Sequence, residues 1–315
     1  MIFSDIFLND VGRLRSGWRS VIYVLLFGIL ISLLETATYL LAKAIGPSAE
    51  NFLASNWGHV VQALILFVSG LLAGWGCGAA LEGLPLRALG WATHPGWLRD
   101  WLVGSLVGAL SLLVATTFAT AVGGFRFTFN AQGMLAAVGQ TLLVSCLVFI
   151  VAAAAEEMVF RGYPLQTMTR ARLAWVGLAI PSIFFSWVHL SNPNVVPGFT
   201  FVNTLLAGIW LAAAYLRTRS LWFPLGIHWS WNWMMGAVLG LPVSGIENLT
   251  PAPLMRATDA GPAWLTGGAY GIEGGAACTL TLLLATIFVW RTRLVSATNE
   301  MIQLTNRENP KSSDK

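Results

Sequence analysis

Apolar runs of about twenty residues recur along this chain, separated by short polar segments that carry arginines. A helix rises about 1.5 Å per residue, so a run of that length crosses the ~30 Å hydrocarbon core of a bilayer. Eight runs are delimited: about 21–44, 57–81, 101–122, a fourth starting near Ala131 and reaching Arg161, then 174–189, 199–216, 221–241 and 271–290. Charged residues make up only 10% of the chain, against roughly 25% in a soluble domain, and the mean hydropathy is +0.68. The expectation is an all-α, polytopic transmembrane bundle of about eight spans, an integral multi-pass protein of the inner or plasma membrane in a bacterial host.

The basic residues supply an orientation, because short cytoplasmic loops collect Lys and Arg. With the N-terminus inside, the inner segments hold Arg13, Arg15, Arg19, Arg87, Arg99, Arg170, Arg172, Arg217, Arg219, Arg291, Arg293, Arg307, Lys311 and Lys315. Lys43, Arg126 and Arg256 fall outside, and Arg161 lies within the membrane. The predicted topology is therefore N-in and C-in. A formal net charge of +4 spread over many loops does not point to nucleic acid. Cys77, Cys146 and Cys278 all sit in apolar runs without C-x-x-C spacing, which reads as core packing and not as a disulfide framework.

Five regions follow. Residues 1–17 place Phe3, Ile6, Phe7, Val11 and Leu14 at helical spacing among charges, as in an amphipathic interfacial segment. Residues 18–125 hold the first three spans, with Glu35 inside the first, where a carboxylate hydrogen-bonded to a neighbouring helix is expected. Residues 126–241 form the chemistry-bearing core. Residues 242–294 are a polar outer loop and the last span, and 295–315 read as a disordered cytoplasmic tail.

Within the core, Glu156, Glu157 and Arg161 interrupt an apolar helical run, at roughly 2.5–3.5 kcal/mol each by insertion scales. Glu157 and Arg161 are four apart and share a face, whereas Glu156 is rotated by about 100° from its neighbour. One carboxylate is thus paired and the other is free to act as a base. Gly162-Tyr163-Pro164 should end this helix. His189 closes the fifth run, and His228 stands four residues before Asn232 in the seventh, so imidazole and carboxamide project from one face. A salt-bridged helix end and a polar pair joining two helices remain the structural alternatives for these groups. Trp229, Trp231 and Trp233 alternate and cannot share a face, which suits lipid or interface packing.

Taken together, Glu-Glu-x-x-x-Arg at 156–161, Phe185-x-x-x-His189 and His228-x-x-x-Asn232 resemble the three motifs of the CPBP family of intramembrane proteases. That family includes the CAAX prenyl endopeptidases and the Abi-type bacteriocin self-immunity proteins, and the similarity reaches from about Ala131 to Met235. The resemblance implies that Glu156 and His189 activate water, that His228 and Asn232 form an oxyanion hole, and that Glu157 and Arg161 support them. Although the family is named as metalloproteases, with Glu156, His189 and His228 available as a His₂Glu zinc set, no H-E-x-x-H occurs and a glutamate-activated water needs no metal. Metal-free chemistry is the favoured expectation, with zinc the alternative and no other cofactor implied.

The implied partners are the lipid bilayer and a membrane protein or lipidated peptide as substrate, with CAAX-type processing where the host prenylates proteins. A non-proteolytic scaffold or immunity factor of the same fold is the main competitor. A proton-coupled transporter is a third reading, against which the missing repeats argue.

Overall fold

The computed structural model describes residues 4–10, 12–130 and 135–306. Among the described residues, α1 (Ser16–Ile45), α2 (Asn56–Cys77, extended by a π-turn Gly78–Glu82), α3 (Trp97–Ala121) and α4 (Leu135–Arg161) come first. A short α5 (Tyr163–Arg170) intervenes before α6 (Ala174–His189), α7 (Phe199–Thr218), α8 (Trp222–Trp233) and α9 (Ala276–Arg291). The architecture is an all-α helical bundle. Five segments, Ser16–Ile45, Trp57–Glu82, Trp97–Ala121, Leu135–Arg170 and Phe199–Thr218, are long and apolar enough to cross a membrane, while α6 and α9 are shorter apolar helices. The start of the fourth run near Ala131 lies outside the described residues.

Three local features position the chemistry. Gly162 (φ −69°, ψ −126°) separates α4 from α5, and a Cβ there would stand 2.2 Å from the Met158 carbonyl oxygen, so the break directly after Arg161 requires glycine. Gly104 and Gly108 of α3 face α8: added Cβ atoms would meet the Phe223 and Ile227 carbonyl oxygens at 2.3 and 2.2 Å, and Gly226 approaches the Trp101 carbonyl equally closely. This small-residue seam lets the two backbones touch, as in membrane helix pairs, and seats the helix that carries His228. Around it lies the main core, with Leu112, Phe149, Leu211, Phe223, Ile227 and Cys278 buried together.

Hydrogen bonds define the two ends of the bundle. At one end Arg19 Nη1 (2.7 Å), Thr167 Oγ1 (3.2 Å) and Arg170 Nε (3.0 Å) donate to Glu82 Oε1, while Arg170 Nη2 donates to Oε2 at 2.8 Å. This ties the start of α1, the end of α2 and α5. Arg217 of α7 reaches the Thr292 carbonyl beyond α9, and Arg99 of α3 reaches the Leu294 carbonyl at 2.9 Å. At the opposite end two strands, β1 (Phe125–Phe129) and β2 (Met255–Asp259), pair antiparallel with Phe127 opposite Ala257. This small sheet replaces part of the loop expected over 242–270.

Two terminal readings are corrected. Residues 1–17 do not form one amphipathic helix: the described part is a four-residue helix, Ser4–Phe7, and a Leu8–Leu14 bridge that folds the segment back on itself. Met1–Phe3 and Val11 are outside the described residues. The tail is not disordered over 299–306, where α10 (Asn299–Asn306) buries Met301 and Thr305, and Glu300 pairs with Arg87 at 2.7 Å. Its amphipathic spacing was masked by the polar residues around it. Residues 307–315 of the tail, with Arg307, Lys311 and Lys315, are not described.

Candidate active site

The last two turns of α4 present the adjacent glutamates to different surroundings. Glu157 is fully buried; its Oε1 accepts from Arg161 Nη1 at 3.1 Å and from His228 Nδ1 at 2.8 Å. Glu156, with its side chain 27% exposed, faces a cavity of about 490 Å³, and its Oε2 lies 3.5 Å from His228 Nε2. The helical rotation that separates them in sequence therefore becomes a division between a buried carboxylate paired through Oε1 and one that borders the cavity.

Arg161 is buried beneath this pair. Its guanidinium lies 4.5 Å from the Phe185 ring centre and donates a second bond to the Gly208 carbonyl. The Phe185 ring in turn stands 4.5 Å from the His189 ring and 6.2 Å from His228, so one aromatic spaces the arginine and both histidines. His189 Nδ1 meets the Phe185 carbonyl at 2.6 Å; a carbonyl only accepts, so Nδ1 carries the proton and the neutral ring keeps its Nε2 lone pair available. The same logic applies to His228. A carboxylate only accepts, so Nδ1–H donates to Glu157, and Nε2 can donate as well only in the imidazolium form.

Glu156, His189, His228 and Asn232 all line this same cavity, and the Asn232 side chain has no hydrogen-bond partner among the described residues. Glu157 and Arg161 lie behind it. Residues 138–234 match the family model described as type II CAAX prenyl endopeptidase Rce1-like. That segment is similar to the CPBP/CAAX protease family. Comparison with curated proteins and with solved structures gives no match. Every motif residue falls inside the matched segment, and the similarity supports an intramembrane protease of the CAAX type in general, with an integral membrane location and substrates met in a lipid environment.

The zinc alternative requires three ligands converging on one point. Among the described residues no three His, Cys, Asp or Glu side chains are grouped closely enough to hold a metal ion. His228 has one nitrogen committed to Glu157, and Glu156 faces the other. Glu156, His189 and His228 as placed do not fit a tetrahedral zinc, and no step below is routed through one.

Several cavity residues were not singled out in the sequence. Glu273, ahead of α9, accepts from Trp231 Nε1 at 3.0 Å through Oε1, and from Ser244 N at 2.9 Å and Ser244 Oγ at 2.8 Å through Oε2. The Ser244 carbonyl accepts from Asn192 Nδ2 at 3.0 Å, which ties the loop after His189 to the outer loop. Trp231 is thus a cavity wall and not a lipid-facing residue, and the indole N–H groups of Trp229 and Trp233 also have protein partners, Ser105 Oγ and the Leu142 carbonyl. Glu35 is exposed and lines the same cavity with His59 and Gln62, in place of the helix-bonded carboxylate expected there. Only Glu35 carried a signal in the sequence, as an acid within an apolar run.

Proposed function

We propose that this chain is an endopeptidase that hydrolyses a peptide bond of a membrane-associated protein with a water activated by Glu156. The observation that carries this reading is the unequal state of the two glutamates, one consumed by Arg161 and His228, the other open to the cavity. Glu156 takes a proton from water as the oxygen attacks the scissile carbonyl carbon, and the same proton is later delivered to the leaving amine. The Nε2 of His189 is oriented to accept from that water. As the tetrahedral intermediate forms, its oxyanion receives hydrogen bonds from Asn232 Nδ2–H and from the Nε2–H of a His228 imidazolium held by Glu157. Glu157 and Arg161 orient and do not touch the reacting atoms. Substrates of this chemistry are a membrane protein segment or a lipidated peptide.

Glu156→Gln keeps the size of the side chain but cannot take the proton. Cleavage should fall by at least the ~10²-fold that a general base contributes, at unchanged thermal stability. If the Glu156→Gln protein folds normally and still supports the full phenotype of the native chain in a deletion strain, the protease reading gives way to the scaffold or immunity reading.

A further inference from the structure

The exposed rim of the cavity lies toward one end of the bundle, and that end has an address. Arg13, Arg15, Arg19, Arg87, Arg99, Arg170, Arg172, Arg217, Arg219, Arg291 and Arg293 gather at one end of the passes, where the Arg19–Glu82–Arg170 cluster closes it. Among the described residues, Lys43, Arg126 and Arg256 belong to the other end. Helices α4, α7 and α8 supply its deeper walls, with Glu156, Trp210 and His228 among them, while the second half of α1, the first half of α2, the end of α6 and the start of α9, together with the loop at Ser244 and Glu273, complete the lining. The α1, α2, α6 and outer-loop contributions are remote from the arginine cluster. Glu35 follows Arg19 by sixteen residues on α1, about 24 Å along the axis, and His59 precedes Glu82 by twenty-three residues on α2, about 34 Å.

The rim of the cavity is also where its exposed residues lie. Glu35, His59, Gln62 and Val188 are exposed lining residues, whereas His228, Trp210 and Phe185 deeper in are buried. Three polar side chains on two apolar helices are costly against lipid, so this rim is suited to water and to a polar backbone. Short cytoplasmic loops are the arginine-rich ones, which puts the rim at the other face. The lining holds carboxylates at Glu35, Glu156 and Glu273 and neither lysine nor arginine. A free C-terminal carboxylate finds no permanent cation there, whereas an internal peptide segment carries no such charge.

We propose that the catalytic cavity is entered from the non-cytoplasmic side of the membrane, through the mouth formed by Glu35, His59, Gln62 and Val188, and that its substrate is an internal segment of a membrane-anchored polypeptide presented from that side. The proposal rests on the protease reading above for its substrate, but not for its geometry.

The test labels single cysteines with a membrane-impermeant maleimide in sealed right-side-out and inside-out vesicles. Gln62→Cys and Val188→Cys mark the mouth and Arg293→Cys the arginine-rich end, each in a Cys77→Ala, Cys146→Ala, Cys278→Ala background that also carries Glu156→Gln. Labelling of both mouth positions in right-side-out vesicles, with Arg293→Cys labelled only after inversion, is expected. Mouth positions that react only in inside-out vesicles, or from neither side, overturn the proposal. If the cysteine-free chain does not accumulate, the same positions are read in the native-cysteine chain, where Cys77 and Cys278 are buried and the unsubstituted protein is the blank. Because every labelled protein lacks the proposed base, the result is independent of hydrolysis. A mouth open to the outer side in a protein whose native form cleaves nothing would remove the protease and leave the access route.

Discussion

The two ends of the bundle handle buried charge in opposite ways. At the arginine-rich end Glu82 is 3% exposed and accepts four hydrogen bonds from Arg19, Thr167 and Arg170. In the other half Glu156 faces open space with one neighbour at 3.5 Å, and Asn232 and His189 border the same space. A carboxylate surrounded by donors is held ionised and inert. A carboxylate left partly unsatisfied beside water can exchange a proton, so the contrast separates a joint of the fold from a reacting group.

The largest expected effect tests the joint. Glu82→Ala leaves two buried guanidiniums without a partner, and loss of one member of a buried pair costs about 3–5 kcal/mol. Thermal denaturation in detergent should show a large drop, while activity per folded molecule stays near native; unchanged stability would place Glu82 among solvated surface charges. Glu157→Gln mixes the two regimes, because it weakens the Arg161 pair and also releases His228. It should lose stability by about 2–4 kcal/mol together with activity. An activity loss without any loss of stability would make Glu157 a reacting group and erase its difference from Glu156.

Smaller effects sharpen the geometry. Gly108→Ala drives a methyl against the Ile227 carbonyl and should cost about 1–3 kcal/mol by overpacking, with activity falling as α8 is displaced. Trp231→Phe deletes the donor to Glu273 Oε1; a hydrogen bond to a charged group is worth about 1.5–3 kcal/mol, reduced here because Ser244 still holds the other oxygen. Hydrogen exchange should rise at residues 242–247 and 190–194, and unaltered exchange would show that the outer loop is held without Glu273. The smallest expected effect is none: exhaustive chelation should leave cleavage intact. One tightly bound zinc per chain, lost in His189→Ala, would mean that the donor set rearranges to hold a metal.

Much of this was legible along the chain because it depends on short-range periodicity. Apolar runs give helices, Gly162-Tyr163-Pro164 stops α4 directly after Arg161, and a rotation of about 100° between neighbours already separates Glu156 from Glu157. The Glu157–Arg161 pair needed only a four-residue spacing. Of the motif residues, which resemble a known family, Glu156, Phe185, His189, His228 and Asn232 share one cavity.

What only the tertiary structure decided are the pairings between residues distant in sequence. Glu82 reads as the polar end of a span until Arg19 and Arg170, 63 residues before and 88 after it, close on its carboxylate. His228 reads as a free donor beside Asn232 until Glu157, 71 residues away, accepts a hydrogen bond from its Nδ1–H. Glu273 and Ser244 lie in a loop with no periodicity, and β1 finds its partner strand across more than a hundred residues. Local sequence sets which face of a helix a side chain occupies, because one turn repeats every 3.6 residues. Which face of another helix it meets depends on how the passes pack, and no spacing within a single run encodes that.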